Sequence, residues 1–332
     1  MYFSFIIPVY NRPDEVEELL KSLAEQNYHE DFEVVIIEDG SSIPCYDVVK
    51  KYEGKIFISY FNKPNSGPGD SRNFGMKHAM GSYFLILDSD CILPENYLAS
   101  VDENLKKEFV DCFGGPDNAL DSFSSVQKAI NFTMTSFLTT GGVRGGSEKI
   151  GKFQPRSFNM GLSKKAFEAS GGFGNIHPGE DPDLSIRLWK LGFKTRLFKD
   201  SYVYHKRRID FGKFYKQVNK FGKARPILDS WYPKHSKITF WFPTLFLLGF
   251  VVSVILLIFG FSLPIKVYAA YFILLFWIGA TENMNPWIGF LSVFAAAFQF
   301  VGYGVGFLQS FIKIKIKKQQ PEKAFPELFF KK

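Results

Sequence analysis

Cysteine is scarce in this chain. Three occur in 332 residues, Cys45, Cys91 and Cys112. They show neither a metal-binding spacing nor a disulfide framework, which fits a reducing compartment. The opening residues, Met1 to Pro8, lack a basic stretch and hold too short an apolar run for a secretory leader. There is no internal repeat and no nucleic-acid motif. Charge is missing from two long segments: none lies between Lys237 and Lys266, and none between Glu282 and Lys313. Each gap exceeds the roughly 20 apolar residues that cross a bilayer. A shorter run, Val267 to Thr281, lies between them. The mean hydropathy of −0.03 is therefore an average over a polar front and an apolar back.

The net charge is +7. Basic residues crowd both flanks of the apolar part: Lys206, Arg207, Arg208, Lys213, Lys216, Lys220, Lys223 and Arg225 before it, and Lys313, Lys315, Lys317 and Lys318 after it. That position favours anionic lipid headgroups over nucleic acid as the partner. The positive-inside rule places the front on the cytoplasmic side of the inner membrane. Three spans, roughly 238–261, 264–280 and 286–312, would carry the last lysines to the other side, against the same rule. Two spans or a re-entrant stretch stay open. Phe211, Phe214, Tyr215, Val218 and Phe221 recur at helical spacing among lysines. This reads as an amphipathic interfacial segment over 211–236, or as a helix packed on its own domain.

The front alternates strand and helix signals. Strands are expected over 3–9, 32–37, 55–61 and 83–87, and helices over 13–26 and 69–79. Such alternation predicts a parallel sheet with helices on both faces. A further helix is expected over 122–140. The glycine-rich stretch Gly141 to Gly146 after it should be mobile or face a ligand. Asp181 fits a helix N-cap and Pro182 the first helical position.

Asp88-Ser89-Asp90 directly follows the run Tyr83 to Leu87. Open α/β sheets bind ligands at the carboxyl ends of their strands. Two acids one residue apart can hold a hard divalent cation that bridges phosphates. Asp and Ser also end strands because they make turns, so on these residues alone both readings stand.

The ordered set of short motifs resembles a family 2 glycosyltransferase of the GT-A fold, an α/β Rossmann-like architecture. The resemblance covers about Phe3 to Arg225. It rests on Pro8-Val9-Tyr10-Asn11-Arg12, Glu38-Asp39-Gly40-Ser41, Asn65-Ser66-Gly67 and Ser71-Arg72-Asn73-Phe74-Gly75, then Asp88-Ser89-Asp90, Asn159-Met160, Gly171-Gly172-Phe173 and Gly179-Glu180-Asp181. It divides the chain into a catalytic domain over 1–210, the segment 211–236, membrane helices over 237–312 and a basic tail over 313–332.

The resemblance implies a hexosyltransferase with a UDP- or GDP-sugar donor, bound by Pro8, Tyr10, Asn11, Arg12, Glu38, Asp39, Asn65, Gly67, Arg72 and Asp88. Glu38 and Asp39 can accept from a base edge and a ribose hydroxyl, and Arg72 can pair with diphosphate oxygens. Family sites often carry two Asp where Glu38 and Asp39 stand, which leaves the base preference open. Asp90, with Asp88 and His205, would hold Mg²⁺ or Mn²⁺; His205 after a strand can equally be structural. Asp181 of the Glu180-Asp181 pair would be the base of an inverting transfer. Asn159, Gly171, Gly172 and Phe173 would cradle the acceptor, which a membrane tether makes lipid-linked. Processive synthases of the family carry Gln-x-x-Arg-Trp, whereas this chain has Gln217-Val218-Asn219-Lys220-Phe221. Lys lacks the planar fork of Arg, which favours single-sugar transfer in cell-envelope or exopolysaccharide assembly. A processive synthase and a degenerate membrane scaffold are the alternatives.

Overall fold

Three strands, β1 (Phe3–Val9), β2 (Phe32–Asp39) and β4 (Tyr83–Leu87), have apolar middles and are buried on both faces. Central parallel strands have that composition because helices cover both sides. In the computed structural model, which describes residues 1–118, 120, 122–141, 152–206 and 210–330, they form the middle of a seven-stranded sheet. Its order is β3-β2-β1-β4-β8-β6-β9, with β3 (Phe57–Lys63), β6 (Cys112–Gly114), β8 (Asn159–Ser163) and β9 (Thr195–Leu197). Residues 142–151, most of the glycine-rich stretch and the loop after it, lie outside the described residues.

Alternation along each strand divides the core. Phe3, Phe5 and Ile7 face one layer with Val34 and Ile36, packed by α1 (Pro13–Ala24) and α4 (Tyr97–Lys107). Ile6, Val35 and Ile37 face the other, with Met76 of α3 (Pro68–His78) and Leu184 and Leu188 of α8 (Glu180–Lys190). Burying each such side chain contributes about 1.5–3 kcal/mol. The short α2 (Tyr46–Lys50) and α7 (Lys164–Ser170) complete these layers.

The parallel sheet expected from the first four strands is present, and the sheet as a whole is mixed. β1 pairs in parallel with β2 and β4, and β2 with β3, but β8 runs antiparallel between β4 and β6. Several elements separate β8 from β4 in the chain, so no single βαβ crossover requires the two to run parallel. What positions the site is the parallel half. β1, β2 and β4 end on one edge, bringing residues 10–12, 39–41 and 88–90 together there. A second sheet, β5 (Cys91–Ile92), β10 (Val203–His205) and β7 (Asp117–Asn118), sets His205 opposite Cys91.

Contacts divide the chain into two compact units: Met1–Asn118 with Ser147–His205 and Phe329–Lys332, and Ala119–Gly146 with Lys206–Leu328. The helical unit thus takes a piece of chain from inside the range expected to be wholly catalytic. That piece forms α5 (Ser125–Thr135) and α6 (Phe137–Thr140), broken at Ser136 where one continuous helix was expected. The Ser136 hydroxyl accepts from Leu138 N–H and caps the second helix, the use to which serine is best suited.

The long helices of this unit are α9 (Phe211–Trp231), α10 (Phe242–Ile258), α11 (Leu263–Glu282) and α12 (Pro286–Ser310). Three stretches, Ile238–Ile258, Leu263–Glu282 and Pro286–Ile316, are long and apolar enough to cross a membrane. The first two are 11% buried and the third 56%, so the third is wrapped by protein. α9 contributes to that wrapping. Its aromatic face packs on α12, with Phe214 and Val218 buried and Phe211 stacked on Phe298 at 5.4 Å. A Cβ at Gly306 would lie 2.3 Å from the Asn219 carbonyl oxygen, so the two backbones meet through a small residue, as helices in membranes do.

Candidate functional site

The loops at the carboxyl edge are tied together by side chains. Asn11, at φ 55, occupies the left-handed region that Asn tolerates better than other non-glycine residues. Its amide donates to Ser41 Oγ at 2.7 Å, and its Oδ1 accepts from Ser42 Oγ and from Ile43 N–H. Tyr10 beside it is 54% exposed. Pro8 is in register with Ile37 of β2.

Glu38 and Asp39 are both buried. Glu38 accepts from Ser41 Oγ, from Cys45 N–H at 2.8 Å and from Tyr60 OH at 3.1 Å. Asp39 accepts from Lys63 Nζ at 2.6 Å, Ser66 N–H at 3.0 Å and Gly67 N–H at 2.9 Å, while Asn65 Nδ2 donates to the Asp39 carbonyl at 2.8 Å. Both acids therefore shape the loops. Lys63 went unnoticed in the sequence. It comes beside Asp39 only through the pairing of β3 with β2, which places the two residues in register.

Arg72 on α3 is 3% exposed. Nη2 donates to Asp88 Oδ1 at 2.6 Å, Nη1 lies 3.4 Å from Glu180 Oε1, and the guanidinium stacks over Phe173 at 5.3 Å. Burial works against its charge, but Asp88 and then Glu180 raise its pKa above the usual value. Phe173 is held in place by Asn73, whose amide group accepts from Phe173 N–H at 2.8 Å and donates to its carbonyl at 2.9 Å. The Gly171–Gly172–Phe173 turn is thereby fastened to α3.

Glu180 and Asp181 begin α8. The helix starts at Glu180 with Gly179 in the cap position, so the assignment of Asp181 as N-cap and Pro182 as first residue is corrected by two positions. Pro182 is tolerated because first-turn amides have no intrahelical partner. His177 Nδ1 lies 2.7 Å from Glu180 Oε1. Against burial, His177 and then Arg72 hold the Glu180 carboxyl well below the usual range. Asp181 moves the other way. Burial and then the Glu180 charge push it up to about 6. Its Oδ1 is buried without a hydrogen-bond partner. An unpaired buried acceptor costs about 1–3 kcal/mol, and functional sites are where such costs persist. Sequence reasoning missed His177, whose only signal was its position three residues before Glu180.

Asp90 lies between Arg12 and His205. Arg12 Nη1 donates to Asp90 Oδ2 at 2.6 Å, and His205 Nε2 lies 3.1 Å from Asp90 Oδ1. Asp117 Oδ2 is 3.9 Å from His205 Nδ1 and the ring stacks on Phe158, so the imidazole is held on one face and at its edge. Asp90, Cys91 and His205 offer ligand atoms within 4.8 Å of one another. The Asp90 carboxylate suits Mg²⁺ or Mn²⁺, whereas imidazole is more at home on softer transition metals. Cys91 fits less well: it points into the core, donates to the Phe158 carbonyl, and burial raises its thiol well above the usual range, whereas a thiol ligates as thiolate.

Asn159, expected in the acceptor cradle, is fully buried. It accepts from Tyr97 OH at 2.7 Å and donates to the Ser201 carbonyl at 2.8 Å. It braces the start of β8, in register with Leu87 at the end of β4.

A mixed α/β sheet with acids and arginines gathered at the carboxyl edge of its parallel half is the GT-A class of fold. The chain belongs to glycosyl transferase family 2, whose family description matches residues 4–170, half of its length. It is similar to an uncharacterized glycosyltransferase of Rickettsia bellii, 41% identical over 95 residues, which cover 29% of this chain and 14% of the relative. It is also similar to the poly(ribitol-phosphate) β-N-acetylglucosaminyltransferase TarS of Staphylococcus aureus strain Mu50. The identity is 40% over 93 residues, 27% of this chain and 16% of TarS. The matches thus span less than a fifth of either relative. In three dimensions it is similar to the mannosyltransferase PcManGT of Pyrobaculum calidifontis, solved in complex with GDP-Man and Mn²⁺. The TM-score is 0.63 at 16% identity, covering 92% of this chain and 86% of that one; this likeness speaks to the fold.

Proposed function

We propose that the protein transfers one sugar from a nucleotide-sugar donor, with inversion, to a lipid-linked acceptor at the cytoplasmic face of the inner membrane. The observation that carries this is the buried, unpartnered Oδ1 of Asp181, beside a neighbour whose charge raises its pKa toward neutrality. A general base is most effective when its pKa lies near the working pH. Asp181 accepts the proton of the acceptor hydroxyl as that oxygen attacks the sugar from the side opposite the leaving diphosphate. Glu180 stays ionised between His177 and Arg72, which makes His177 a positioning residue.

On the donor side, Tyr10 offers a face to the base. Pro8, Asn11, Asp39, Asn65 and Gly67 form the loop walls that take the base and ribose, and Glu38 holds the second of these loops in shape. Arg12 and Arg72 face the diphosphate. Asp90 and His205, with Asp88 nearby, would hold Mg²⁺ or Mn²⁺, which neutralises charge on a departing diphosphate. Gly171, Gly172 and Phe173 frame the acceptor side. The membrane assignment is supported by the three apolar stretches, and one-sugar transfer by Lys220 and Phe221 in place of Arg and Trp.

The test is consumption of a panel of UDP- and GDP-sugars by the purified full chain in detergent with membrane lipid extract. Release of nucleoside diphosphate with label entering the lipid phase is expected. No consumption of any member by the folded protein would sink the proposal.

A further inference from the structure

The described chain does not end in the helical unit. Phe329 and Phe330 belong to the catalytic unit. Phe329 pairs antiparallel with Ile176 through an isolated bridge, and Phe330 N–H donates to the Asn175 carbonyl at 3.2 Å. The Phe330 ring rests on the backbone of Gly67, where a Cβ would come within 2.3 Å of ring carbons. On its other side the ring centroid is 6.0 Å from that of His177, tilted by 50°. One aromatic side chain therefore touches two loops at once: the loop that Asp39 holds through the Gly67 amide, and the loop that sets His177 against Glu180.

We propose that Phe330 is a clasp over the donor site, which a nucleoside diphosphate must lift to reach the Asp39–Gly67 loop. This rests on the donor reading given above. The contact itself favours a removable cover. The segment is paired through an isolated bridge rather than a ladder, which is less to break than a strand of the main sheet. Gly67 offers the ring only backbone, so the ring's gain there is apolar contact, and it leaves the Asp39 hydrogen bonds in place. The clasped form is then the resting state, and nucleotide binding draws on the open fraction.

Hydrogen exchange of the full chain in detergent, with and without UDP or GDP plus Mn²⁺, reads the clasp directly. The Phe330 amide is expected to exchange faster when nucleotide is bound. Unchanged exchange at saturating nucleotide would overturn the clasp while leaving the donor site standing. The variant Phe330→Ala supplies the second measurement. If the clasp is closed about nine-tenths of the time, removing the ring tightens nucleotide binding about tenfold, because apparent affinity scales with the open fraction. Equal or weaker binding by Phe330→Ala would make the ring a wall of the site and overturn the proposal. Failure of both chains to bind either nucleotide would remove the donor reading and the clasp together.

Discussion

Arg72 donates to Asp88 at 2.6 Å from a position that is almost wholly buried. The same guanidinium reaches Glu180 at 3.4 Å, so one side chain connects the acid that ends β4 to the helix that carries Asp181. Two acids without it would repel, and the buried cation without them would stand uncompensated. Breaking a buried ion pair on one side costs about 3–5 kcal/mol.

Arg72→Lys is therefore not conservative. An ammonium cannot reach both carboxylates in a fixed plane. The variant should lower the unfolding midpoint in detergent and reduce transfer by roughly two orders of magnitude, about 2.7 kcal/mol of barrier. Rates within a few-fold of the unaltered chain would show that the bridge is dispensable.

Asp181 makes a pH prediction with a definite sign. As a base it must be ionised, and its pKa is pushed up to about 6. The rate should be flat above that value and fall about tenfold per pH unit below it. The same shift carries a stability cost. A carboxyl whose pKa is higher folded than unfolded destabilises once it ionises, so the penalty grows between about 3.8 and 6 and is complete above. Asp181→Asn should be more stable at pH 7.5, by on the order of 1–3 kcal/mol. The gain should vanish near pH 4, and chemical denaturation at the two pH values checks this.

Much of this was legible in the chain, and the reasons are physical. β1 and β4 were read to the residue because buried parallel strands are continuously apolar. The edge motifs were visible because turns and acids punctuate such strands. β8 was read neither as a strand nor as antiparallel, because Asn159-Met160-Gly161-Leu162-Ser163 has no such run and its place depends on distant pairing. The face of α9 was seen but its partner was not, since aromatic periodicity is the same against lipid and against α12. Local sequence also could not tell that Glu38 and Asn159 are engaged within the fold.

Glu38 offers a separation of structure from recognition. Its carboxylate is buried and accepts from Cys45 N–H and Tyr60 OH. Glu38→Ala leaves those donors unsatisfied and should cost about 1–3 kcal/mol each at most. The expected result is a lower melting midpoint with an unchanged preference between UDP and GDP in binding assays. A switch of base preference at unchanged stability would place Glu38 on the base instead.

The metal assignment can be read without turnover. Mn²⁺ bound at Asp90 and His205 should give a bound-ion signal by electron paramagnetic resonance in the presence of UDP. Asp90→Asn should weaken binding most, and His205→Gln less, by about tenfold or more as ligand and supporting changes do. Equal binding by Asp90→Asn would move the site elsewhere.

The most direct measurement is the initial rate of label transfer from a nucleotide sugar to membrane lipid by the full chain and by Asp181→Asn, side by side at pH 7.5. The account predicts that the variant binds nucleotide as before and transfers at least a thousandfold more slowly, the upper part of what general-base catalysis supplies. Full transferase activity in Asp181→Asn would contradict it.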